Sequence, residues 1–244
     1  MIFKIILFTL ITLLITGLLA TFQQKINLDF NTIILPQLAP MIGFLVMMLL
    51  YKDLRIPIGF QFDKVITFKS LLALVLPFCL ILISFFIGKL VGVKIERTDS
   101  LSSLFSVILI GMLIGSIGEE LGWRSFLQPI LERKNGVLIS SIIVGIIWGM
   151  WHIGHYKNGV LFMVGFLIFT VSASIIIAWI LRDTEYNIIT STVFHLSVNI
   201  GFFTFFKNAL TNPKLMLING FVWLVFAMGI VMLTDGNLKI ENGI

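Results

Sequence analysis

Charge is scarce in this chain. Only 12% of the residues are Asp, Glu, Lys or Arg, about half the share of an ordinary soluble domain. Hydrophobic residues make up 58%, and the mean hydropathy is +1.07. That balance excludes a soluble globular domain. There is one cysteine, Cys79, which excludes a disulfide framework and a cysteine-based metal site; in its apolar segment it is expected to pack as a small buried side chain. No internal repeat, low-complexity tract or Pro/Ser-rich linker divides the sequence. No basic stripe interleaved with aromatics supports a nucleic-acid partner. The net charge of +5 instead reflects topology and contact with lipid headgroups.

What is present is hydrophobic segment after hydrophobic segment. A span needs roughly 20 apolar residues. Eight are expected, over 3–22, 30–51, 69–91, 101–127, 137–154, 159–181, 186–206 and 214–234. The first run continues from Ile5 to Phe22, longer than a signal-peptide core, and no A-x-A site follows; it reads as a retained span. Pro36 and Pro40 predict a kinked or broken second span. The fold expected is an all-α bundle of about eight transmembrane helices around an internal polar cavity, a single membrane domain over 1–244. With the N-terminus inside, the inner segments hold nine Lys or Arg, among them Arg55 and Lys239, and the outer segments seven, among them Arg97 and Lys207. The excess favours cytoplasmic termini.

Ionisable groups inside predicted spans are costly and mark function by default. They are Glu119, Glu120 and Arg124 in the fourth span, His152 at the end of the fifth, and His195, with Asn199, in the seventh. If the fourth and fifth spans form a hairpin turning near Asn135, Glu119 lies 16 residues before the turn and His152 17 after it. Both then sit roughly 24 to 26 Å from it, level in the membrane. Glu120 and Arg124 are i,i+4 neighbours in the favourable order for an ion pair. Glu119 points about 100° away and is free to face a cavity, as a general base would. Gly111, Gly115, Gly118 and Gly122 allow close helix approach. His195 and Asn199 share a helix face and could donate to a developing oxyanion or orient a substrate backbone. His155 reads as interfacial. Taken singly, the ion pair, a buried histidine or the asparagine could each be structural; their confinement to three spans points to a polar site.

"EELGWR" (Glu119 to Arg124), "WGMWH" (Trp148 to His152) and "HLSVN" (His195 to Asn199) together resemble the EExxxR, FxxxH and HxxxN motifs of the CPBP family, the CAAX-processing and bacteriocin-processing intramembrane peptidases. The resembling core is about 101–205. Trp148 stands where phenylalanine is commoner and preserves an aromatic one turn before His152.

The resemblance implies an eight-helix intramembrane endopeptidase, embedded in the bilayer of a bacterial cytoplasmic membrane, acting on a hydrophobic peptide or a membrane-protein substrate. By motif position, Glu119 and His152 would activate water and His195 and Asn199 would bind the oxyanion. Glu120, Arg124 and Trp148 would support them. The family has been described both as metalloproteases and as metal-independent glutamate peptidases. Without an H-E-x-x-H pair the second is favoured, so no cofactor is expected, although Glu119, His152 and His195 could serve as ligands to a divalent metal such as zinc. The alternative is a non-proteolytic immunity or scaffold protein that binds a peptide or partner. A transporter would also place Glu and His in the membrane, but repeat symmetry and paired broken helices are lacking.

Overall fold

The structure is a computed structural model that describes residues 2–95 (except 53, 55 and 57), 105–206 and 209–238. The helices are α1 (Ile2–Lys25), α2 (Ala39–Leu50), α3 (Lys64–Leu90), α4 (Phe105–Gly122), α5 (Gln128–Glu132), α6 (Val137–Trp151), α7 (Val160–Ile180), α8 (Ile188–Phe205) and α9 (Pro213–Leu233). A π-helical stretch, Trp123–Leu127, joins α4 to α5, so the two form one continuous rod, 106–132. Among the described residues six helical segments are long and apolar enough to cross a membrane, and two shorter apolar ones, Leu35–Leu50 and Val137–Trp151, stand at the second and fifth expected spans. The protein is a multi-pass integral membrane protein.

Three boundaries differ from the sequence reading. The third span begins at Lys64 because Asp63 caps it, accepting from the Ile66 backbone N–H at 2.8 Å; its charged first turns hide it from a hydropathy pattern. The fourth continues to Glu132, past the expected end. The second is broken: residues 26–34 form no helix, and a 3-10 turn, Leu35–Leu38, leads into α2. The assigned start of the fourth span, 101–104, and the counted basic residues Arg55, Arg97, Lys207 and Lys239 lie outside the described residues. Cys79 is exposed rather than buried, on a helix long and apolar enough to face lipid.

The most buried of the spans, α7, packs along α9 and α6, while α8 lies against α3 and α4 and α1 packs on α2. Leu10, Leu14 and Leu18 of α1 are exposed, as expected of a lipid-facing helix. The polar connection before α3 is not helical. It docks by a single parallel bridge between Gly59 and Asn187, with the Ile188 N–H donating to Gly59 O at 3.0 Å and Asn187 Nδ2 to Gln61 O at 2.9 Å. A Cβ at Gly59 would fall 2.7 Å from Thr184 O, so this approach needs glycine.

The glycines of α4 seat the broken second span. A Cβ at Gly111 would meet Thr32 O at 2.4 Å, one at Gly115 would meet Gln37 Oε1 at 2.3 Å, and one at Gly122 would meet Pro40 Cβ at 2.3 Å. Small residues let irregular backbone lie directly on the helix, which is tolerable in a membrane when that backbone is enclosed by protein. The consequence is positional: Gln37 is set down beside Glu119.

Candidate active site

Glu119 and Glu120 are both fully buried, in the last turn of α4. The π-helical turn starts three residues after Glu120; such insertions widen a helix and recur at functional sites. Glu119 Oε1 accepts from Gln37 Nε2 at 3.0 Å and Oε2 from the Trp148 indole Nε1 at 2.7 Å. Two donors on a buried carboxylate fix its orientation and offset part of the cost of desolvating it.

Glu120 Oε1 accepts from His195 Nδ1 at 2.8 Å, and Oε2 lies 3.5 Å from Arg124 Nε. The i,i+4 ion pair read from the sequence is therefore formed, with both side chains almost wholly buried. The Arg124 guanidinium also lies over the Trp148 ring, 4.5 Å from its centroid, a cation–π contact. The two glutamates are less separate than their 100° offset suggested: His195 Nε2 is 3.9 Å from Glu119 Oε2. One imidazole, projecting from α8, bridges both carboxylates of α4.

His152 caps the C-terminus of α6. Its Nδ1 donates to Trp148 O at 2.8 Å. Since that carbonyl can only accept, the proton sits on Nδ1 and Nε2 keeps its lone pair. No hydrogen bond joins His152 to Glu119. Trp148 connects them: its indole nitrogen meets the carboxylate and its carbonyl holds the imidazole. It is thus Trp148 that meets Glu119 directly, with His152 one turn further on. His152 is half-buried, and His155 stacks on it, rings 5.6 Å apart and nearly parallel, against Phe162 and Phe166. His155 lies in the turn after α6, where burial, helped by the charge of Lys157, pushes it down to about 4.

Asn199 shares the face of His195, one turn along α8, and donates from Nδ2 to Ser116 Oγ at 3.3 Å; it is half-buried. Gln37 and Ser116 were missed by sequence reasoning. The only signal for Gln37 was a polar side chain between two prolines in an apolar span. Ser116, one turn before Glu120, has the composition of an ordinary membrane-helix serine.

Among the described residues no group of three or more His, Cys, Asp or Glu is spaced to hold one ion. Both Glu119 oxygens already accept from N–H groups, and His195 Nδ1 is engaged by Glu120.

Fold and site together define an intramembrane protein that encloses a carboxylate–histidine cluster between helices. Comparison with known proteins gives its kind. Residues 101–201 match the family model described as type II CAAX prenyl endopeptidase Rce1-like. The chain is 30% identical over 204 residues to Lysostaphin resistance protein A of Staphylococcus haemolyticus (strain JCSC1435), covering 81% of this chain and 56% of that protein. It is 29% identical over 210 residues to Lysostaphin resistance protein A of Staphylococcus aureus (strain bovine RF122 / ET3-1), covering 83% and 50%. The chain thus spans about half the length of the curated relatives it matches. With the three motifs, these matches bear out the resemblance to the CPBP family, and residues 101–201 carry the likeness to a CAAX-type intramembrane peptidase.

Proposed function

We propose that the chain is an intramembrane endopeptidase that hydrolyses a hydrophobic or membrane-associated peptide without a resident metal. The observation that carries this reading is the state of Glu119: a fully buried carboxylate held by Gln37 and Trp148, with His195 Nε2 3.9 Å from its Oε2. A charge-bearing group so placed is a poor structural choice, since an apolar residue would be cheaper. It is a sound choice for a general base in a water-poor site.

In the proposed reaction Glu119 takes one proton from water, whose other O–H is held by the lone pair on His152 Nε2, as the water oxygen attacks the peptide carbonyl. The oxyanion is met by N–H donors, His195 Nε2–H when that imidazole is doubly protonated and Asn199 Nδ2–H. Glu120 holds His195 by Nδ1 and is itself held by Arg124, so the imidazole cannot rotate away. The abstracted proton is returned to the leaving amine. Purified protein is expected to cleave members of a hydrophobic peptide library, and Glu119→Ala and His152→Ala are expected to lose cleavage by about 10²–10⁴-fold, the usual worth of a general base, while still folding. A full-rate Glu119→Ala protein would sink the assignment.

The second reading is a non-proteolytic role, binding a peptide or partner, and the observation that favours it is the name of the relatives, which are called resistance proteins. On that reading the same substitutions leave a protective or binding phenotype unchanged.

A further inference from the structure

Beneath the carboxylate pair, on the side away from His152, lies a cavity of about 220 Å³. Arg124 forms its inner end; Gln128, Glu132, Arg182, Glu185 and Tyr186 line the way out, with Ala178 on the α7 wall. Arg124, Gln128 and Glu132 follow one another at four-residue steps, so the polar track runs about 12 Å along the rod, at 1.5 Å per residue. It ends where the 133–136 and 181–187 turns meet. His152 and Asn199, the half-buried members of the site, lie towards the opposite end of the bundle, since α6 runs from Val137 at the turn to Trp151 just before His152.

Several buried polar atoms along this track make no hydrogen bond within the protein. Arg124 is 2% exposed, yet its Nε and Nη1 make no hydrogen bond, and the same holds for Glu120 Oε2 and for Arg182 Nε. The carboxylate Glu132 is occupied: it accepts from Gln128 Nε2 and from the Tyr186 hydroxyl, each at 2.6 Å. Burial, reinforced by that carboxylate, pushes the Tyr186 phenol well above its ordinary range, so it remains a donor. A buried donor left unsatisfied is costly. A polar cavity far larger than the roughly 10–15 Å³ that one water needs will instead be hydrated.

We propose that this cavity is a solvent-filled vestibule by which water from the 133–136 and 181–187 end of the bundle reaches Arg124 and the carboxylate pair, while peptide enters from the His152 end. The second half rests on the peptidase reading. Hydrolysis consumes one water per bond, its OH joining the carbonyl carbon and its proton the amine. A peptide seated against His152 and Asn199 blocks the front, so a separate rear supply lets the site refill while the acyl product is still bound.

The test uses the full chain in proteoliposomes, with Cys79→Ser to remove the natural thiol. Ala178→Cys places a thiol on the cavity wall; Ile176→Cys, on the same helix and fully buried, does not line it; Leu181→Cys is a second wall position should Ala178→Cys fold poorly. A charged, membrane-impermeant methanethiosulfonate is expected to modify the wall thiols at least ~100-fold faster than Ile176→Cys, because only a hydrated thiol ionises and reacts. Modification of Ala178→Cys is then expected to lower kcat roughly tenfold with KM for peptide unchanged, the signature of a step other than peptide binding. Equally slow labelling at wall and control positions overturns the vestibule. Fast labelling with kcat intact overturns the water route. If the unmodified protein cleaves no peptide, the peptidase reading fails, and the labelling ratio alone decides the vestibule.

Discussion

The indole Nε1 of Trp148 donates to Glu119 Oε2 at 2.7 Å, and the backbone carbonyl of the same Trp148 takes the Nδ1 proton of His152 at 2.8 Å. One residue thereby fixes both groups proposed to activate water. A phenylalanine would keep the ring and the carbonyl but lose the indole donor. A hydrogen bond to a charged group contributes about 1.5–3 kcal/mol, and each 1.36 kcal/mol of barrier is tenfold in rate. Trp148→Phe is therefore expected to fold normally and lower kcat by roughly 10- to 100-fold with little change in KM. Steady-state cleavage kinetics check this; an unchanged kcat would show that the indole contact does no catalytic work.

Gln37 holds the other oxygen of Glu119, and only the lack of a side chain at Gly115 lets it sit there, since a Cβ would lie 2.3 Å from Gln37 Oε1. Gln37→Leu and Gly115→Ala should thus reach the same defect by different routes, each lowering kcat by roughly 10- to 100-fold by the same hydrogen-bond arithmetic. Residues that act through one contact do not add, so the double variant should be no worse than either alone. A multiplicative loss would separate the two and leave the glycine with a purely packing role.

How much of this was legible in the sequence follows from which forces write themselves locally. Spans are written by hydropathy, so five of the eight came within about three residues at both ends, while the third missed its start where charge intervened, at Lys64 and Lys69 of α3. The Glu120–Arg124 pair is an i,i+4 relation within one helix and could be read directly. Three features depended on which helix lies against which, and hydropathy carries no such information. One is the convergence of both carboxylates on His195. Another is the placing of Gln37 over Gly115. The last is Asn199 meeting Ser116 of α4. The family motifs name residues that the fold brings near one another but say nothing of their hydrogen bonds.

The Glu120–Arg124 pair is stabilising only as a pair. Removing one member of a buried ion pair leaves an uncompensated charge and costs about 3–5 kcal/mol, whereas removing both is far cheaper. Arg124→Met should therefore lower unfolding stability by about that amount, and Glu120→Gln with Arg124→Met by clearly less than the sum of the single changes. Arg124→Lys keeps the charge but not the planar stack on Trp148 at 4.5 Å, so it should fall between wild type and Arg124→Met. Denaturation in detergent checks the order; additive single effects would mean the pair is not coupled.

His155 gives the protein an acid-sensitive edge. Its proton affinity is depressed from the ordinary 6.5 to about 4, first by burial and then by Lys157. The unfolded chain therefore binds this proton more readily than the folded one. By linkage, stability is complete above pH 6.5 and is lost as the pH falls from there towards about 4, below which both states are protonated. Replacing it, as in His155→Gln, should flatten the decline of melting temperature across that window relative to wild type, with the slope due to carboxylates common to both. Parallel curves would show that His155 titrates the same way folded and unfolded.

Chelation is the sharpest test of the proposed chemistry, because the donor arrangement bears on it directly. A metal bound by Glu119 would have to compete with the N–H groups of Trp148 and Gln37 for the same two oxygens. One bound by His195 would have only Nε2 available, since Nδ1 is committed to Glu120. Ligands must also be deprotonated, and no group of three or more His, Cys, Asp or Glu is spaced to hold one ion among the described residues. Protein purified through 1,10-phenanthroline and EDTA is therefore expected to retain its full rate of peptide cleavage, while Glu119→Ala remains inactive under all conditions. Loss of activity on chelation with recovery on adding zinc would reverse the assignment, making Glu119 and the two histidines metal ligands and requiring Trp148 and Gln37 to release the carboxylate when the ion binds.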